Sequence, residues 1–140
     1  MSQRILVPYD GSDSAGKALE FALTTFETSP ITVLHVVEPF PDHTAAGVEN
    51  YRTEWPERAE AHAEKLFERA RAIGAEYDRE LRTEWVYGRP RHEIVVYIEA
   101  NDIGGVVMGS QGKGAASRLV FGSVAEAVVR RSPVTVTVVK

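Results

Sequence analysis

The chain is 140 residues long, the size of one domain with a core of its own, and it is 44% hydrophobic and 26% charged, the balance of an ordinary globular fold. It has no cysteine, which excludes disulfides, Cys-ligated zinc and thiol catalysis. The net charge of −4 is uneven: residues 110–140 hold five basic side chains and one acidic, so the rest of the chain is strongly acidic. A basic end on an acidic chain suits a small anionic ligand better than a long nucleic acid, although the same charges also fit a solvated surface.

Met1 to Arg4 runs directly into Ile5-Leu6-Val7, without the charged region, long apolar stretch and cleavage site of a signal peptide. No apolar run approaches the ~20 residues that cross a bilayer. The expectation is a cytoplasmic protein with no membrane partner.

Ile5-Leu6-Val7-Pro8-Tyr9 reads as a strand buried on both faces. Asp10 to Asp13 forms a turn, with Ser12 as helix N-cap. Ala15, Ala18, Leu19, Ala22, Leu23 and Phe26 then make one apolar helical stripe, ended by Thr28-Ser29-Pro30. Ile31–Val37 is a second buried strand, and His35 within it is expected to be a hydrogen-bonded core residue. Residues 38–55, with two prolines, a glycine and no period, read as a long loop. Pro56 opens a helix whose inner face is Ala59, Ala63, Leu66, Phe67, Ala70 and Ile73, with Gly74 as its C-terminal cap. Leu81–Tyr87 is a third strand, placed at a sheet edge by Arg82 and Glu84.

Ile94, Val95 and Ile98 mark a helix reaching to about Asn101, and Gly105–Met108 a fourth strand. Val124, Ala125, Val128 and Val129 mark the last helix, closed by Ser132-Pro133, before the strand Val134–Val139. Strands alternating with helices imply a parallel sheet covered on both faces by right-handed crossovers. Ligands in such sheets bind beyond the carboxyl ends of the strands, where the strand order reverses. Two loops sit at carboxyl ends, Tyr9-Asp10-Gly11 and Gly109-Ser110-Gln111-Gly112.

The second loop carries the chemistry. Glycines let backbone N–H groups approach a phosphate without an intervening Cβ, and the helix opening at Gly122-Ser123 adds unpaired donors and a favourable dipole. Ser110 and Ser123 offer hydroxyls, and Lys113 or Arg118 offer charge. An ordinary turn, with Ser123-x-x-Glu126 as a capping box, explains the same residues without a ligand. It is not a Walker A loop, which ends in Gly-Lys-Ser/Thr, nor a dinucleotide fingerprint, since Gly11 stands alone after the first strand.

The spacing Gly109-x2-Gly112-x9-Gly122-Ser123 resembles the ATP-binding signature of the universal stress protein family. The resemblance extends over nearly the whole chain, through Ile5–Ser12, Val33–Val37, Gly88-Arg89-Pro90, Val107–Ser110 and Gly122–Glu126. It implies an α/β fold: an open five-stranded parallel sheet with helices on both faces, Rossmann-like or adenine nucleotide alpha hydrolase-like, in strand order 3-2-1-4-5. It also implies one domain over residues 1–140. Pro8, Tyr9 and Asp10 would lie near ribose and adenine, and Val36 would meet the adenine. Gly109, Gly112, Gly122 and Ser123 would hold phosphates, with Met108, Ser110, Gln111, Lys113 and Val124 beside them. Asp10 is the candidate magnesium ligand. The strand Val134–Val139 is implied to pair with its copy in a homodimer. Two departures from the family pattern are Gln111, where His is common, and Gly104-Gly105, where an Asp-Leu pair is usual; the two glycines are expected to weaken the start of the fourth strand.

The resulting expectation is an ATP-binding regulatory or stress-response protein, taking ATP or else ADP or AMP with magnesium, and hydrolysing it slowly at most. No G-x-S-x-G elbow is present, and His35, His43, His62 and His92 form no pair at metal-ligand spacing. The alternatives are a genuine ATPase or phosphotransferase, a nucleotide-independent dimeric interaction module and, more remotely, a flavin or nicotinamide protein. No helix presents a basic stripe for nucleic acid.

Overall fold

The computed structural model describes residues 3–38, 48–111 and 122–140, with backbone alone over 48–55. Five strands, β1 (Arg4–Pro8), β2 (Ile31–Val37), β3 (Arg82–Tyr87), β4 (Ile103–Gly109) and β5 (Thr135–Val139), alternate with four helices. The helices are α1 (Asp13–Thr25), α2 (Val48–Glu76), α3 (Pro90–Ala100) and α4 (Ser123–Arg131). The strands form one parallel sheet in the order β3-β2-β1-β4-β5. The chain winds outward from β1 in one direction and then restarts from β1 in the other, so β1 and β4 flank the reversal.

Residue alternation along the central strands divides the core. Ile5, Val7, Ile31, Val33 and Val107 face one layer, formed by Ala18, Leu19 and Ala22 of α1 and Ala63, Leu66, Phe67 and Ala70 of α2. Leu6, Leu34, Val106 and Met108 face the other, formed by Ile94, Tyr97 and Ile98 of α3 and Ala125 and Val128 of α4. Strands buried on both faces carry continuous apolar runs, which is why β1 and β2 read so plainly. At the β3 edge Arg82 and Glu84 are exposed, as their charges require.

Ser12 caps α1 as expected, its Oγ accepting from the Ala15 amide at 3.1 Å. Three expectations fail. The second helix begins at Val48, so residues 48–55 are helical and Pro56 lies inside α2; Val48, Tyr51 and Trp55 do stand at helical spacing ahead of Ala59 and Ala63, but Pro56 reads as a helix start, and inside α2 it costs one internal bond. Gly74 does not end α2. The chain turns at Asp78, with φ 56°, while the Gly74 carbonyl accepts from Tyr77 and Arg79. Gly74 is small for another reason, since a Cβ there would meet the Arg79 carbonyl oxygen at 2.9 Å. Ser123 is not an N-cap: Gly122 holds that position, no side chain among the described residues caps the helix, and Ser123 is its first residue.

Gly104 and Gly105 lie within β4. Arg4 pairs with Ile103 but Ile5 with Gly105, so Gly104 is the extra residue of a bulge, and a Cβ on it would run into Gln3.

Candidate functional site

A cleft of about 330 Å³ opens at the carboxyl ends of β1, β2 and β4, at the reversal of strand order. Its floor is Pro8, Tyr9, Leu34, Val36 and Met108; its walls come from the turns and helices around them. The β1–α1 turn places Asp10 and Ser12 on one side. Asp10 Oδ1 accepts from the Ser12 amide at 2.9 Å, which fixes the carboxylate in the turn. Gly11 has φ +82°, a left-handed value that suits glycine, and a Cβ there would meet Leu66 Cδ2 at 2.7 Å.

Arg69 of α2 secures the same turn, donating to the Gly11 carbonyl at 3.0 Å. Tyr9 is 4% exposed beneath it. Burial pushes the Tyr9 hydroxyl above its usual range; the Arg69 guanidinium opposes that rise and the Asp10 carboxylate adds to it. His35 is buried, and its Nδ1 lies 3.0 Å from the Tyr9 carbonyl oxygen. A carbonyl only accepts, so Nδ1 carries the proton in that bond. The His62 ring of α2 stands 5.6 Å from the His35 ring, and both line the cleft.

Across the cleft, Gly109, Gln111, Val124 and Ala125 line the wall. Gly109 is small because α1 passes close behind it: a Cβ there would collide with the Ser14 hydroxyl and stand 2.7 Å from the Ser14 backbone. Several amides of this turn already have partners. Ser110 N–H donates to the Val139 carbonyl at 3.0 Å, Gln111 N–H to Ser14 Oγ at 3.3 Å, and Gly122 N–H to the Ser110 carbonyl at 2.6 Å. The first turn of α4 is different. Its Ser123, Val124 and Ala125 amides precede the first intrahelical bond, which Glu126 N–H makes to the Gly122 carbonyl. With no side-chain cap there, the positive end of α4 is presented beside the cleft.

Of the residues singled out from sequence, Pro8, Tyr9, Asp10, Val36, Met108, Gly109, Gln111 and Val124 therefore line one cleft. Ser110, Gly122 and Ser123 adjoin lining positions without lining it. Gly112, Lys113 and Arg118 lie outside the described residues. The sequence reading missed Ser14, His62, Pro90, Ile94 and Arg69. Ile94 carried a sequence signal as a core position and Pro90 as part of Gly88-Arg89-Pro90; the rest reach the site or its turns through tertiary packing.

The fold and this cleft define a doubly wound α/β protein with one switch-point site, the class that holds nucleotides and related anions. Within that class the profile of the universal stress protein family matches residues 1–140, and the chain belongs to that family. A universal stress protein of Thermus aquaticus is 32% identical over 143 residues, with all of both chains covered. Among solved structures, the universal stress protein UspA of Lactobacillus plantarum is 29% identical with a TM-score of 0.80, covering 99% of this chain and 97% of its own.

More distant structures share the fold. They include an Archaeoglobus fulgidus universal stress protein in complex with dAMP (20% identical, TM-score 0.69, 100% and 98% covered). An Arabidopsis thaliana member with AMP bound is 19% identical with a TM-score of 0.71, covering 99% of this chain and 91% of its own. Among the described residues no helix is long and apolar enough to cross a membrane.

Proposed function

We propose that the cleft binds an adenine nucleotide, ATP or else ADP or AMP, and that occupancy regulates the protein's shape or its choice of partner in a cytoplasmic stress response. The observation that carries this reading is the uncapped N-terminus of α4 facing an apolar floor across the switch point. The floor at Tyr9, Val36 and Met108 suits a base, and the amides of Ser123, Val124 and Ala125 suit phosphate oxygens. At its described ends the glycine turn uses its amides internally: those of Ser110, Gln111 and Gly122 are hydrogen-bonded within the protein and seat the start of α4. Nucleotide complexes of distant relatives with the same fold support the reading.

Magnesium would enter with the phosphates. Among the described residues no group of three or more His, Cys, Asp or Glu could hold a metal, and Asp10 and Glu38 are the carboxylates lining the cleft. Phosphate and water oxygens would supply most of the ion's ligands, with Asp10 contributing one.

Calorimetric titration with ATP and magnesium tests the proposal, with Gly122→Val as the decisive variant. Gly122 has φ −64° and ψ 161°, open to any residue, so valine alters the phosphate side without straining the backbone. Binding by the parent protein and none by the variant is expected; no binding of ATP, ADP or AMP by the parent rejects the reading. Hydrolysis is expected below about 1 per second, the low end of ordinary turnover.

A further inference from the structure

α2 contributes a third wall to the cleft. His62, Leu66 and Arg69 recur at helical spacing, so they form one stripe on its flank. Each meets the base of the cleft differently. Arg69 holds the Gly11 carbonyl, Leu66 packs under Gly11 where a Cβ would not fit, and the His62 ring packs against that of His35. His35 is locked in turn to the Tyr9 carbonyl. Of the stripe only His62 lines the cleft, and it is exposed there, while the inner-face neighbours Ala59 and Ala63 are 2% and 0% exposed. An exposed ring held by a buried, hydrogen-bonded ring is a prepared contact surface and contributes little to the core.

Its position selects what it would touch. His35 lies on the α1/α2 face of β2, one residue before Val36, and on the far side of β1 from the glycine turn that follows β4. We infer that His62 is a binding residue that packs its ring on the heteroaromatic base of the nucleotide, from the wall opposite the phosphate side. The inference rests on the nucleotide reading above.

Calorimetric titration of AMP and of ATP into the parent protein, His62→Ala and His62→Phe tests it. Replacing an aromatic ring that stacks on a base by alanine weakens binding by about tenfold or more. His62→Ala is expected to lose that factor equally for AMP and ATP, because the stacking ignores phosphate number. His62→Phe is expected to stay within about threefold of the parent, and the unfolding temperature of both variants without nucleotide to stay unchanged, since position 62 is exposed. Alanine binding within twofold of the parent, a loss confined to ATP, or a phenylalanine variant as weak as alanine overturns the assignment. A parent protein that binds neither nucleotide rejects the underlying reading instead.

Discussion

Gly109 and Gly122 belong to the same signature, yet among the described residues only Gly109 sits in a backbone crowded by its neighbours. Gly109 lets β4 pass against Ser14 of α1, so Gly109→Ala forces backbone and side chain apart and is expected to cost about 1–3 kcal/mol in denaturant unfolding, with or without nucleotide. Gly122→Val keeps an accessible backbone conformation but puts a poor N-cap residue in place of a tolerated one, so without ligand it is expected to lose about 1 kcal/mol.

Tyr97 gives a test at the same scale. Burial first, and then its 2.8 Å bond to Glu84 Oε1, raise its hydroxyl to about 12. A raised folded-state value means stability fully present below the ordinary tyrosine value of about 10 and lost as pH climbs towards 12. Denaturant melts between pH 9 and 12 are expected to fall in that window, and Tyr97→Phe to flatten the fall without abolishing it. Tyr9 is raised as well and keeps its own share.

Among the elements, the end of α1 rests on one side chain. Arg79 donates to the carbonyls of Leu23 and Phe26, each at 3.2 Å, and of Ser29 at 2.5 Å, joining the turn after α2 to the exit of α1. Arg79→Met is expected to destabilise the protein by about 2 kcal/mol, since charged hydrogen bonds are worth more than neutral ones. Arg79→Lys is expected to recover only part, because one ammonium cannot span the fork. Unfolding in urea with constant m-value reads both.

Every strand and helix could be placed from sequence, because parallel strands buried on both faces and helices with one apolar stripe leave strong patterns. The N-terminal part of α2 was missed because Pro56 reads as a helix start, although Val48, Tyr51 and Trp55 continue the stripe of Ala59 and Ala63 upstream of it. The signature spacing pointed to the glycine side of the cleft, and the wider family resemblance to Pro8, Tyr9, Val36 and Met108 of its floor, while Leu34 was read only as part of a buried strand. His62 and Arg69 were not, because their partners lie 27 and 58 residues away in sequence and no local pattern encodes the meeting.

For the whole molecule, ligand occupancy should appear as stability. A ligand that binds only the folded chain adds about 2.7 kcal/mol at a hundredfold excess over its Kd, so ATP is expected to raise the unfolding temperature of the parent and leave that of Gly122→Val where it was. Assembly belongs at this scale too. β5 is the outer strand beside β4, with Val136 and Val138 packed on the α3/α4 layer, and its second edge faces away from the sheet. We propose that two copies pair along it; sedimentation should give a dimer, and lysines at Thr135 and Thr137, which guard an exposed edge against pairing, should give a monomer.

The bond from Gly122 N–H to the Ser110 carbonyl brings the chain back to the point it left. That single bond closes the chain on itself, and the entropy of such a closure grows only logarithmically with the length enclosed, about 0.6 kcal/mol for each doubling. Through Ser110, which also donates to Val139, the start of α4 is fastened to both outer strands of this half of the sheet.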